Sequence, residues 1–443
     1  FFQAEDGIRD GSSDAAIILM TTHYFNWVQN TSKTGSHRIP ERFSSAVMCS
    51  KTQGKKRSKR SLRLRYDSPT ISATSVTHQK RLVPSEATRR MLRRTFLMGA
   101  TTALVATAGC LTGSSISGDS REEPALAENR PDAVYVPTHR DGMEMVGVGD
   151  AGDLRVGLMY SYPHEFWVVE QDGDGFVTSP TGVEDGDAVH LMATPFHEPT
   201  GTVIPSSGLS VEITQDGSLV SQEILYPMLS QQMGFHYGAN FPLAGDGSYE
   251  VNVSVGGVNS EQFGDFEGLF DEPAEASVSF DYRETARNEI DFERFNDRAG
   301  KRGALEPMEM DKVPTGRAPE QLPGTALGEA ASGDATVLAA AVEAARFDGT
   351  RVGVSPRTPY NALVIPGMGL EATLTSADGS ERFDGRLRPA LDPELGFHYG
   401  TTVDELESGD ELRVSVTTPP QVARHEGYET TFLEMNEMGF TAP

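Results

Sequence analysis

The sequence predicts an all-β protein made of two tandem antiparallel β-sandwiches. The pentapeptide Gly234-Phe235-His236-Tyr237-Gly238 returns unchanged as Gly396-Phe397-His398-Tyr399-Gly400, and a unit repeated at such spacing implies two related domains. Around each copy lie short alternating or apolar runs separated by Gly, Asp and Pro, the pattern of half-buried strands joined by turns.

Residues 1–90 read as upstream translation foreign to the native protein. Phe1 to Asp10 resembles a translated sequencing adapter, and this stretch carries 16 Lys+Arg against 7 Asp+Glu with no strand or helix period. Met91 reads as the true start. Residues 91–110 resemble a twin-arginine lipoprotein signal: Arg93-Arg94 precede an apolar run too short to span a bilayer. That run ends in Thr107-Ala108-Gly109-Cys110, a lipobox-like end that makes Cys110 the expected lipidation site. Residues 111–134 read as a tether. The protein is thus expected to be extracytoplasmic, a cell-surface lipoprotein held to the membrane by its lipid anchor.

The first sandwich is expected over 135–283, with strands at 154–160, 166–170, 188–193, 209–214, 219–225, 249–255 and 276–282. The Asp/Gly cluster 172–175 lacks the distal Glu of a calcium loop and reads as a turn. Residues 284–325, with a short charged helix at 285–298 and a Pro/Gly-rich 307–323, read as the linker. The second, diverged sandwich is expected over 326–443. Its strands fall at 336–344, 351–354, 362–365, 370–375, 382–387, 412–416 and 430–433, and 434–438 reads as a fraying end. Residues 336–346 are Ala-rich and helix-like in composition; the tandem relation favours strand.

The chain has a formal net charge of −26, and the basic first 90 residues hide an even more acidic remainder. After residue 90 the only lysines are Lys301 and Lys312. Such a surface argues against nucleic-acid binding and suits very high salt, where charge repulsion is screened within about 3 Å at 1 M. Of the two cysteines, Cys49 lies in the foreign stretch and Cys110 in the signal. The sandwiches therefore hold no disulfide and no thiolate metal site. Any metal falls to His, Met, Asp or Glu.

No pair of histidines has metalloprotease spacing, and there is no nucleophile elbow or phosphate loop, so no enzymatic activity is expected. Met228 and Met233 shortly before His236 offer soft thioethers beside an imidazole, a donor set suited to copper(I), with imidazole also suiting iron. The pentapeptide reads as a loop ahead of a strand. The plain alternative makes Met228 and Met233 core fillers and His236 a turn residue. In His164-Glu165-Phe166-Trp167, Trp167 reads as core and His164 as an exposed edge residue or an accessory ligand.

Asp141-Gly142-Met143-Glu144-Met145, Phe166-Trp167 and above all Tyr226-Pro227-Met228 with Gly234 to Asn240 resemble the periplasmic iron-transport accessory family. The resemblance covers about 135–283 and, more weakly, 326–443. It implies Ig-like sandwiches, often dimeric, that bind copper or iron and partner a membrane iron permease. It also implies metal ligands at a Met before the loop, at the His of the loop, at a Glu on an early strand and at a His in a late Gly-Arg-His segment. Met228 and His236 match, with one extra residue between them, so Met233 competes with Met228. Met192, in His190-Leu191-Met192-Ala193, stands at the Glu position. The late segment resembles Gly264-Asp265-Phe266 in the first domain, without a His, and Arg424-His425 in the second. In the second domain His398 matches but Ala390 replaces the Met. Three readings stay open: a Met-rich site of Met228, Met233, His236 and Met192; a site shared between domains, with His425 supplying what the first lacks; or loss of metal binding. The first two give an exported metal-capture protein for iron or copper uptake; the last gives a non-catalytic surface interaction module.

Overall fold

The computed structural model describes residues 124–443; residues 1–90, Arg93, Arg94 and Cys110 lie outside the described residues. What is described is almost wholly β. In chain order the first half has β1 (His139–Asp141), β2 (Glu144–Ala151), β3 (Leu154–Ser161), β4 (Phe166–Asp172), β5 (Gly175–Thr181), β6 (Asp187–His197), β7 (Thr202–Val203), β8 (Leu209–Gln215), β9 (Ser218–Ile224), β10 (Tyr226–Ser230), β11 (Gly234–Pro242), β12 (Gly247–Val255), β13 (Glu261–Gln262), β14 (Ala274–Tyr282) and β15 (Phe292–Arg294). The second has β16 (Thr325–Ser332), β17 (Ala335–Glu343), β18 (Thr350–Arg357), β19 (Gly369–Thr375), β20 (Glu381–Asp392), β21 (Gly396–Val403), β22 (Glu411–Thr418), β23 (Ala423–Arg424) and β24 (Met438–Thr441). Among the described residues no helix is long and apolar enough to cross a membrane.

The first sandwich sets the sheet β2-β3-β6-β11-β10-β23-β4-β5 against the sheet β14-β12-β8-β9. Its inner faces follow the two-residue period: on β12, Tyr249, Val251, Val253 and Val255 are buried while Glu250 and Ser254 are exposed. β6 runs between β3 and β11 within its sheet and is buried on both faces along most of its length. The second half repeats the plan as β16-β17-β18-β21-β20-β19-β22-β24. Here β20 serves both layers, its first part pairing β19 and its last five residues pairing β21. In the first half the equivalent strand is broken at Leu225 into β9 and β10. The hairpin β4–β5 has no counterpart in the second half, where β17 leads straight to β18.

The halves exchange strands. β23, from the second half, lies parallel to β10 (Met228↔Ala423, Leu229↔Arg424) and antiparallel to β4 (Arg424↔Trp167). β13, from the first half, lies parallel to β20 (Glu261↔Ala390, Gln262↔Leu391). The β23 segment is well anchored. The Arg424 guanidinium is fully buried and donates to the carbonyls of Pro420, at 2.9 Å, and Val422. Glu429 accepts from the Tyr135 hydroxyl and from the Gly427 amide.

Several expectations change. The pentapeptides are strands, opening β11 and β21, because only their first glycines make the turn: Gly234 and Gly396 have φ of 71° and 66°. Residues 430–433 are turn and bend; the strand near there is β24, which pairs with β22 and buries Met438, so 434–438 leads into a sheet rather than fraying. The helix expected over 285–298 is reduced to Glu284–Asn288, and β15 follows it to pair with β1. The segment 284–325 is packed: Val313 fills the space at Gly157, where a Cβ would meet its Cγ2 at 2.3 Å. The Ala-rich segment is indeed strand over 336–343, as β17, and turns at 345–346.

Candidate metal centre

Register brings the first half's histidines together. β6 and β11 pair with His190 opposite Asn240 and Met192 opposite Gly238. β10 and β11 pair with Met228 opposite His236. Side chains two residues apart share a face of a strand, so His190 and Met192 face the same way, as do His236, Gly238 and Asn240. The exchange then delivers His425, whose amide donates to the Leu229 carbonyl at 3.2 Å. The loop before β4 delivers His164. Phe166, at the start of β4, packs with Ala423 against Met228.

The ligand atoms of His164, His190 and His425 lie within 4.8 Å of one another. The His236 ring centroid is 5.3 Å from that of His425. Hydrogen bonds fix the tautomers. Asn240 donates through Nδ2 to the His164 carbonyl at 3.0 Å, so its Oδ1 is the acceptor for His190 Nδ1–H at 2.8 Å. His236 Nδ1–H donates to the Gly234 carbonyl at 3.1 Å. His164 Nδ1–H donates to the Tyr162 carbonyl at 2.9 Å, which leaves its Nε2 to accept from His425 Nδ1–H at 3.2 Å. In each of His190, His236 and His425 the proton sits on Nδ1, and Nε2 carries a lone pair. All three Nε2 atoms are buried without a hydrogen-bond partner. Orienting Nδ1 while freeing Nε2 is how outer partners prepare imidazoles for an ion.

Burial also keeps these rings neutral. It pushes His236 down to about 4, and pushes His190 and His425 well below the ordinary histidine range with help from the neighbouring imidazoles. His164 is lowered too, by burial, partly opposed by Asp141. Neutral imidazole is the metal-binding form.

Met228 is fully buried. A Cβ at Gly238 would meet Met228 Sδ at 3.0 Å and His190 Nε2 at 2.9 Å. The second glycine of the pentapeptide therefore leaves open the space into which a thioether and an unpartnered imidazole nitrogen both project. Met192 and Met233 are buried and line the adjoining cavity of about 60 Å³ with His164, His236 and His425. His139, Asp141, Glu165 and Glu426 also line it, so its charged groups suit a cation.

Of the residues singled out from sequence, Met228, Met233, Met192, His236 and His425 thus converge, and His398 does not join them. His190 was not singled out from sequence, and His164 was raised only as an exposed edge residue or an accessory ligand. His190 stands two residues before Met192, and strand periodicity alone puts it on the same face. His164 is not an exposed edge residue; it belongs to the imidazole cluster.

His398 lies at the equivalent place in the second half, and there the set has changed. β18 pairs β21 with Val354 opposite Tyr399 and Gly353 opposite Gly400, as Ala193 and Met192 face Tyr237 and Gly238. Arg351 therefore stands where His190 does. Ala390, opposite His398, stands for Met228. Phe263, whose amide donates to the Leu391 carbonyl at 3.0 Å, stands for His425; it is Phe263 rather than Phe266 that occupies the late-segment position. Arg351 Nε–H donates to His398 Nε2 at 3.3 Å, Nη1 pairs with Glu261 at 2.9 Å, and the guanidinium carbon lies 4.7 Å from the Phe263 ring centroid. A fixed cation uses the lone pair that the first half leaves free.

Residues 185–283 match the model of the Fe2+ transport protein family. The match spans β6 to β14, and so includes His190, Met228 and His236 but not His425. Residues 320–441 match a separate family defined as a domain of unknown function, DUF7350. Among solved structures, a copper-bound variant of FetP from uropathogenic Escherichia coli is 21% identical, covering 32% of this chain and 97% of its own, with a TM-score of 0.24. A copper-bound variant of Campylobacter jejuni P19 is 20% identical, covering 32% and 98%, with a TM-score of 0.23. No curated protein matches the chain.

Proposed function

We propose that this protein captures a copper or iron ion outside the membrane and passes it on during iron uptake. The observation that carries the reading is a cluster of three neutral imidazoles, His190, His236 and His425, each with an unpartnered Nε2, in which His190 Nε2 and Met228 Sδ face one space at Gly238. His190, Met228 and His236 hold the ion together with His425 from the second half. This is the shared-site arrangement among the three left open by sequence. His164 and Asn240 orient His425 and His190. Three imidazoles with a thioether favour copper, and copper(I) above all; bound copper supplies a one-electron couple. Asp141, Glu165 and Glu426 at the adjoining cavity offer the oxygen donors that iron prefers.

The match of residues 185–283 to the Fe2+ transport protein family supports this reading. Export through Arg93-Arg94, anchoring at Cys110 and hand-off to a membrane iron permease complete it, and they rest on the sequence. Because each half completes the other, one chain suffices for the site, and a homodimer is not needed to build it.

Anaerobic titration of copper(I) and iron(II) into the full chain tests the proposal, with metal content measured alongside. One ion per chain, lost in both His190→Ala and His425→Ala, is the expected result. Binding that survives both substitutions removes the shared site. No binding at all leaves the interaction-module reading.

A further inference from the structure

We infer that the second half holds a separate binding site for a small anion, a carboxylate or inorganic oxyanion, built on Arg351. This site does not depend on metal capture by the first half.

Arg351 is 2% exposed, yet its Nη2 has no hydrogen-bond partner. Its other nitrogens are engaged, Nε with His398 and Nη1 with Glu261. A buried guanidinium nitrogen without an acceptor is costly, and an incoming oxygen would satisfy it. The space is there. Arg351 lines a cavity of about 370 Å³ together with Arg386, Arg388, Thr402, Glu261 and Asp348. That volume falls in the range of small-molecule sites, roughly 300–1,000 Å³.

The charges select an anion. Three arginines face two carboxylates, and one of those, Glu261, is already paired with Arg351. Arg386 and Arg388 lie two residues apart on β20, on one face of the strand, and both are exposed. Guanidinium groups bind carboxylates and oxyanions through paired N–H donors. The glycine that makes room in the first half does so here as well: a Cβ at Gly400 would meet Arg351 Nε at 3.0 Å and Cζ at 3.1 Å. The same bare strand position thus serves a metal-ligand nitrogen in one half and an anion-binding guanidinium in the other.

The test titrates citrate, and separately inorganic phosphate, into the full chain at constant ionic strength. Comparing the two probes separates a carboxylate site from an oxyanion site. Saturable one-to-one binding of at least one probe is expected, weakened at least tenfold by Arg388→Ala or Arg386→Ala. Both residues are exposed, so these variants keep the fold. Arg351→Met should abolish the binding. The metal content of Arg386→Ala and Arg388→Ala should equal that of the parent, which keeps this outcome distinct from failure of metal capture. No saturable binding of either probe, or equal binding by the parent and both exposed-arginine variants, overturns the inference. Arg351 would then be only the internal counter-ion of Glu261.

Discussion

The two halves share one backbone register and differ in what it carries. At four matched positions the first half has His190, Met228, His236 and His425, and the second has Arg351, Ala390, His398 and Phe263. Only the pentapeptide histidine is common. In the first half its Nε2 is free for an ion; in the second a guanidinium already donates to it. A repeated motif therefore marks a repeated scaffold, and the partners across the strands decide whether that scaffold is a metal centre.

Substitutions that move one half toward the other break the comparison most sharply. His190→Arg places the second half's cation in the first half's cluster. Metal affinity should fall more than the roughly 10–100-fold that outer partners carry, read as loss of bound metal after dialysis. Gly238→Ala comes next: its Cβ would press on His190 Nε2 and Met228 Sδ, and the metal isotherm should weaken by about 100-fold, at the upper end of that range. The matching Gly400→Ala meets a backbone carbonyl, Val352 O, at 2.6 Å. It should cost about 1–3 kcal/mol of stability by overpacking in denaturant unfolding, with metal content unchanged. Asn240→Ala releases the Nδ1 proton of His190 from its acceptor and should weaken metal binding about tenfold.

The smallest effect is common to both halves. Burial holds His236 and His398 at about 4 in the folded protein, against 6.5 for the free side chain; for His398 the nearby Arg351 adds to the effect. Between those values the unfolded chain binds more protons than the folded one. Metal-free stability should therefore be fully present above about pH 6.5 and decline as the pH falls toward 4. Thermal unfolding across that window, with His398→Gln as the comparison, measures the share of one site. An unchanged slope in His398→Gln would place the proton uptake elsewhere.

Much of the fold was legible because it is written locally. Alternation on 249–255 and 412–416 marks strands that pair within their own half, as β12 and β22 do. The repeat announced the duplication, and Met228 and His236, flagged by their soft donors, lie opposite each other on β10 and β11. The glycines of the pentapeptide misled, since they resemble turn punctuation. Gly234 does turn the chain, whereas Gly238 sits inside β11 to make room for other side chains. The exchanged strands were not legible, because β13 and β23 are two residues each and no periodicity survives at that length. His164 could be raised as an accessory ligand but not assigned a partner, since His425 is 261 residues away in the chain. His425 itself could be flagged only through the Arg-His resemblance, and where it goes depends on the exchange.

The exchange also sets a clock on biosynthesis. When His190, Met228 and His236 leave the ribosome, the slot between β10 and β4 lacks its strand, and its edges are unpaired. β23 and His425 arrive only after nearly all of the second half has been made. A nascent chain therefore presents an incomplete donor set throughout most of its synthesis, and closure of the slot and completion of the ligand set are one event. With the shared site proposed above, bound metal would report that both halves have been made and docked.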